Sequence, residues 1–165
     1  DRDLWRWDLL WSKEVAATLT GISPSTEAFE AYNDSLDANN FDATVEKGHG
    51  LLEFFEVLYE KALAKSFYVE LLRTKILFVP TLQVLSSELG SYAATRSLDK
   101  VACVFSVGSN GVTLSFRTVD GVDASPLAKM FGGGGHKAAC GAKISLELFI
   151  SLVNQTKTPI FEVLP

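Results

Sequence analysis

Phe131-Gly132-Gly133-Gly134-Gly135-His136-Lys137-Ala138-Ala139-Cys140-Gly141 is the stretch whose reading decides the fold. Four consecutive glycines favour neither helix nor strand. Each admits positive φ and lacks the Cβ that would keep another group off the backbone. Successive N–H groups in such a loop can turn toward one point and form an anion-sized concavity. His136 and Lys137 follow at once, and both donate hydrogen bonds; Lys137 adds a full positive charge and His136 a titratable one. Small residues come next, as where a chain must pass close to something. On composition two readings stay open: a phosphate or carboxylate pocket, or a flexible turn between a helix and a strand.

Moving upstream, Asp123 or Ser125 can cap a short helix over residues 126–131 that leads into the glycines. Before it, Val112, Leu114 and Phe116 alternate with Thr113, Ser115 and Arg117, the pattern of a strand with one covered and one polar face. Gly108-Ser109-Asn110-Gly111 is a turn, and its Asn-Gly pair favours a hairpin with the apolar strand at 101–107. Arg117 ends the polar face of the second hairpin strand. Its planar fork suits two oxygens of a phosphate or carboxylate, so Arg117, His136, Lys137 and the loop N–H groups can be presented to one anion. A solvated strand residue is the competing reading of Arg117.

Further upstream, residues 84–95 read as a helix containing Ser86-Ser87-Glu88-Leu89-Gly90, and Ile76-Leu77-Phe78-Val79 as a buried strand closed by Pro80. Downstream of the glycines come a strand to about residue 144, a helix over 146–154 and a last strand at 160–164. The texture changes near Arg73. Ahead of it the chain reads as helical: a short helix at 15–19 ending at Gly21, a helix opened by Ser23-Pro24 (with Ser25 or Thr26 as alternative caps), and a long periodic segment over 41–67. Leu51, Leu52, Phe54, Phe55, Leu58, Tyr59, Ala62 and Leu63 give that segment a broad apolar stripe, which Gly48 and Gly50 weaken at its start. His49 reads as a surface histidine, with no second His or Cys at ligand spacing. The fold class is therefore α/β: a helical N-terminal half followed by a small mixed β-sheet flanked by helices, with a helical linker or packing region at 1–73 and a second region at 74–165.

Composition bounds the function. The 165 residues are 47 % hydrophobic and 21 % charged, enough for a core, and the net charge of −5 argues against a general nucleic-acid coat while leaving room for a local basic site. Cys103 and Cys140 lie among apolar or small residues and read as buried free thiols. No apolar run has the ~18 residues of a membrane span. The opening Asp1-Arg2-Asp3 is neither a secretory leader nor an initiator Met, so a processed chain or a fragment is expected, intracellular rather than secreted. Trp5, Trp7 and Trp11 crowd the first eleven residues and read as a core-anchoring segment, with an aromatic binding platform as the alternative.

The order Val112-Thr113-Leu114-Ser115-Phe116-Arg117-Thr118, then Val122-Asp123 to Ala128, then the glycine–histidine run, resembles the DHH-associated C-terminal domain of the DHH phosphoesterase family. The Ser87-Glu88-Leu89-Gly90 helix fits it too. Asp1-Arg2-Asp3-Leu4-Trp5-Arg6-Trp7 resembles the segment that joins that domain to the catalytic one in some members. The resemblance covers most of the chain and is strongest over residues 75–165. The family includes single-strand exonucleases, oligoribonucleases and phosphatases of cyclic dinucleotides or adenosine bisphosphate.

The resemblance implies a substrate-binding role for Arg117, Gly132, Gly133, Gly134, Gly135, His136 and Lys137 toward a nucleotide or short single-stranded nucleic acid. It implies catalysis by an N-terminal DHH domain whose Asp and His residues hold two Mn²⁺ or Mg²⁺ ions. This chain has no Asp-His-His triplet and only two histidines, so no catalytic or metal-ligating residue is expected in it. Cys140 departs from the small residue usual at its position. The implied partner is the DHH domain, or a chain packing on the Trp-rich opening, and self-association through uncovered apolar surface is expected. The alternative is a non-catalytic binding or scaffold subunit derived from the family.

Overall fold

The alternation at 112–118 can satisfy only a strand with one face in a core. In the computed structural model of the chain, which describes residues 10–37, 40–81 and 85–155, that strand belongs to a six-stranded sheet. The chain divides into two compact units, Asp1–Leu58 and Tyr59–Pro165.

The first unit holds helices α1 (Ser12–Leu19) and α2 (Thr26–Asp37) and most of α3 (Phe41–Leu63). Ser25, rather than Ser23, caps α2: its Oγ accepts the Ala28 N–H at 3.2 Å. Thr18 Oγ1 and Tyr32 Oη meet at 2.5 Å, and Tyr32 also donates to the Val15 carbonyl at 3.3 Å, pinning α2 to α1. Gly48 weakens α3 for a packing reason, since a Cβ there would stand 2.4 Å from the Glu14 carbonyl oxygen. His49 lies beside the Glu14 carboxylate (Nδ1 to Oε1 3.6 Å) and edge-on to Trp11. Trp5, Trp7 and the strand expected at 160–164 lie outside the described residues.

The second unit is built on strands β1 (Phe67–Leu71), β2 (Thr74–Pro80), β3 (Val101–Gly108), β4 (Gly111–Thr118), β5 (Gly134–His136) and β6 (Ala139–Ile144). They lie in the order β1-β2-β3-β4-β6-β5, antiparallel except for the parallel pair β2–β3. Helix α4 (Ser86–Arg96) makes the crossover that a parallel pair requires. Helix α5 (Ser125–Met130) precedes β5, and α6 (Leu146–Gln155) follows β6.

The sheet has two unlike faces. Phe78, Cys103, Phe116 and Cys140 form one cross-strand row, buried together with Ala124, Leu127 and Ala128 of the α5 region and Phe149 and Leu152 of α6. Residues of the opposite parity, Ala102 and Val104 among them, face α4 with its buried Leu89, Gly90, Ala93 and Ala94. Phe116 is wholly buried in the central strand. Phe116→Ala is expected to cost about 3–5 kcal/mol, read as a lower urea midpoint at unchanged m-value.

Two stretches differ from the sequence expectation. The helix expected over 41–67 stops at Leu63, and β1 follows as an edge strand, so the sheet begins ahead of the change in texture at Arg73. The β1–β2 turn is made by Leu72 and Arg73, both left-handed with φ of 51° and 62°, and neither is a residue type that announces such a turn. The second difference is the glycine run. Gly134–His136 is a strand, paired antiparallel with β6 through Gly134–Gly141, Gly135–Cys140 and His136–Ala139. Glycine has no strand preference of its own; the partner strand imposes the conformation. Among the described residues no helix is long and apolar enough to cross a membrane.

Candidate functional site

The loop is built from α5 outward. The Asp123 carboxylate accepts the Ser125 N–H at 2.8 Å as the helix begins. The Ser125 hydroxyl, and after it that N–H, hold the Asp123 carboxyl below its ordinary range, with Lys137 and Lys129 adding to the effect. At the other end Gly132 takes φ 74°; its N–H reaches the Lys129 carbonyl at 3.0 Å and the Gly133 N–H the Ala128 carbonyl at 2.9 Å. This paired closure ends a helix and turns the chain. Gly135 has φ 135°, and a Cβ there would fall 2.6 Å from Cys140 Cα. At Gly134, in contrast, a Cβ would meet nothing within 4 Å.

The tip of the β5–β6 hairpin is stitched to its surroundings by main-chain bonds. The Ala124 N–H donates to the Lys137 carbonyl at 2.9 Å, and the Thr118 N–H to the Ala138 carbonyl at 3.2 Å. Thr118 Oγ1 donates to the Val122 carbonyl at 2.7 Å, closing the chain between β4 and α5. His136 and Lys137 are thus exposed side chains on a tethered backbone.

Register then brings the separated residues together. Arg117 pairs with Ala139, and Ala139 with His136, so the three form one row on one face of the sheet. Two strand spacings separate Arg117 from His136, roughly 10 Å between Cα atoms, with only the methyl group of Ala139 between them. The next row, Ser115, Gly141 and Gly134, is equally small. The floor between Arg117 and His136 is therefore low and bare. Lys137 follows the row at the hairpin tip and lies outside it.

The Arg117 guanidinium donates to Ser87 Oγ at 3.0 Å and to the Phe116 carbonyl at 2.9 Å. Both partners are neutral. Among the described residues no carboxylate pairs with it, so several of its five N–H donors remain for a ligand. Cys140 belongs to the opposite face, where its thiol donates to the Ala124 carbonyl at 3.2 Å. The departure at this position therefore leaves the Arg117–His136 face unaltered.

Both thiols are pushed above the ordinary range by burial, with the Ala128 amide and Arg117 partly offsetting it at Cys140. A raised pKa means less thiolate at pH 8, so both cysteines should react with a thiol reagent at least ~10-fold more slowly in the native chain than in denaturant.

Sequence reading named Arg117, the four glycines, His136 and Lys137. It did not assign a part to Ser87 or Gly90, which contact Arg117 from α4. The one available signal was a glycine inside a helical pattern, which has a packing reason more often than none.

Residues 83–158 match the profile of the DHHA1 domain family. That stretch is similar to a DHHA1 domain. DHHA1 domains usually accompany a DHH domain, and the matching stretch lies on the sheet and helices that follow β2. Among solved structures the chain is similar to a pGpG-specific phosphodiesterase, PggH, from Vibrio cholerae, with a TM-score of 0.52 at 14 % identity over 89 % of this chain and 56 % of that one. An exopolyphosphatase-related protein from Bacteroides fragilis matches at TM-score 0.48 and 16 % identity, over 81 % of this chain and 43 % of that one. An uncharacterized protein from Helicobacter pylori G27 matches at TM-score 0.42 and 20 % identity, over 79 % and 42 %. The chain spans about half the length of these structures. No curated protein matches it significantly.

Proposed function

We propose that this chain is the substrate-gripping part of a DHH-type metal-dependent phosphoesterase. On this reading Arg117 and His136 hold phosphate oxygens of a nucleotide or short single-stranded nucleic acid. Gly132, Gly133, Gly134 and Gly135 let the ligand approach the main chain, and Lys137 adds positive charge at the rim. The observation that carries the reading is the cross-strand row Arg117–Ala139–His136, which puts a guanidinium and an imidazole on one face with a bare floor between them. Arg supplies a bidentate fork for phosphate, and a floor without side chains admits a bulky anion.

Hydrolysis is assigned to a DHH domain. Among the described residues no three of His, Cys, Asp and Glu converge on a point where a metal ion would sit. The Mn²⁺ or Mg²⁺ pair of the DHH domain would supply the activated water. The present chain supplies orientation of the phosphate, which raises rate by holding the reacting group in place.

The test is a titration of the chain with a 5′-mononucleotide, a 5′-phosphorylated dinucleotide and a short single-stranded oligonucleotide. Binding that falls at least ~10-fold in Arg117→Ala is expected, since a lost charge-assisted bond is worth that much. Binding that survives in Arg117→Ala and in His136→Ala would refute the assignment. The absence of saturable binding by the unaltered chain would favour a scaffold descended from the family.

A further inference from the structure

Glycine is, after proline, the poorest residue in a helix interior. Gly90 nevertheless sits buried inside α4, and its φ is not in the left-handed region. Its own backbone therefore does not require a glycine. Its surroundings do. A Cβ at Gly90 would lie 2.7 Å from Arg117 Cγ, 3.3 Å from Arg117 Cβ and 3.5 Å from Val104 Cγ2. The first distance is a clash with the root of the Arg117 side chain, whose displacement would swing the guanidinium away.

The rest of the Arg117 environment is shaped the same way. Its two cross-strand neighbours on that face are Ala102 and Ala139, the smallest side chains available. Three residues before Gly90, on the same face of α4, Ser87 Oγ accepts the guanidinium N–H at 3.0 Å. The stem thus runs between two alanines and under a glycine, and its end is held by a hydroxyl. The helix itself is anchored further along. Arg96 lies 3.6 Å over the Tyr92 ring and donates to Tyr92 Oη at 2.6 Å, Tyr92 Oη donates to the Glu60 carboxylate, and Arg96 is 3.4 Å from Glu60.

We infer that α4 is the positioning element for Arg117, with Gly90 clearing the path of its stem and Ser87 fixing the direction of its guanidinium. The inference rests on the phosphate-grip reading, and it adds two positioning residues that touch no ligand themselves. Pre-setting the arginine lowers the ordering cost that binding would otherwise carry.

A double-mutant cycle separates this from a merely structural role. The full chain would be titrated with a 5′-phosphorylated dinucleotide. If Gly90 acts through Arg117, Gly90→Ala weakens binding about ten-fold in the unaltered chain and less than about two-fold in the Arg117→Ala background. Equal losses in both backgrounds would overturn the inference. Ser87 is exposed and loses only a hydroxyl in Ser87→Ala, so that variant serves if Gly90→Ala does not fold. It should weaken binding about three-fold in the unaltered chain and not at all beside Arg117→Ala.

A second readout does not depend on binding. The Arg117 Nε–Hε resonance should move in Gly90→Ala and in Ser87→Ala. A resonance unmoved in both would refute the inference, whatever the titration gives. If the unaltered chain does not bind the dinucleotide, or Arg117→Ala binds it equally well, the phosphate-grip reading fails, and a shifted resonance would still sustain the positioning of Arg117 by α4.

Discussion

Gly135→Ala is expected to destabilise the second unit by about 2–4 kcal/mol, the range for a residue forced into a conformation its side chain cannot share. Two independent effects act at this position. The φ of 135° is open to glycine and costly for any L-residue with a Cβ. The added methyl would also meet backbone, at 2.6 Å from Cys140 Cα and 2.7 Å from the Ala139 carbonyl oxygen. Backbone cannot rotate aside as a side-chain tip can, so the pair β5–β6 must part. Because β5 is a three-residue edge strand, the damage is expected first as faster amide exchange at residues 134–136, then as a lowered urea midpoint. A variant as stable as the parent, with protection at residues 134–136 unchanged, would mean that the strand pairing described here is wrong.

Gly134→Ala should give the opposite result: stability unchanged or raised by about 0.5 kcal/mol, and ligand binding weakened by at least ~10-fold. The neighbouring glycine has room for a methyl, since nothing lies within 4 Å of where its Cβ would stand, and its φ is not left-handed. Among the described residues no contact asks for glycine there. It shares the row of Ser115 and Gly141, next to that of Arg117 and His136. A methyl group in that place intrudes only on something that comes from outside. Measuring both the urea midpoint and the affinity for a 5′-phosphorylated dinucleotide on one sample separates the two quantities. Undiminished affinity would show that the ligand does not reach β5.

The sheet's centre was legible because its signals are local. The alternation at 112–118 and the Asn110-Gly111 turn specify a hairpin without help from the rest of the chain, and β3 and β4 formed where they were read. The edges were not legible. β1 follows a helix whose apolar spacing continues past its end, and the Leu72-Arg73 turn uses residues that carry no turn signal. β5 has no strand-forming residue and is a strand only because β6 lies beside it.

The candidate site was legible as a set of residue types. Arg117 and His136 could be named from their chemistry, but their common row depends on a register of β4 against β6 and of β6 against β5. Register arises from packing of the opposite face, chiefly the Phe116–Cys140 row, and is written in no single stretch of sequence. The α4 contacts to Arg117 are more distant still, 27 and 30 residues upstream, and a helix face that meets a strand across a crossover leaves no periodic trace.

The position of β5 has a colloidal consequence as well. Among the described residues it ends the sheet, so its outer N–H and C=O groups point away from any partner strand. A long, flat, apolar strand in that position would recruit other copies and aggregate. This edge is three residues long, consists of two glycines and a histidine, and is followed at once by a lysine. Bare main chain, low β-propensity and charge are also what discourage edge-to-edge pairing. The composition that leaves the main chain bare thus also makes it a poor template for another polypeptide.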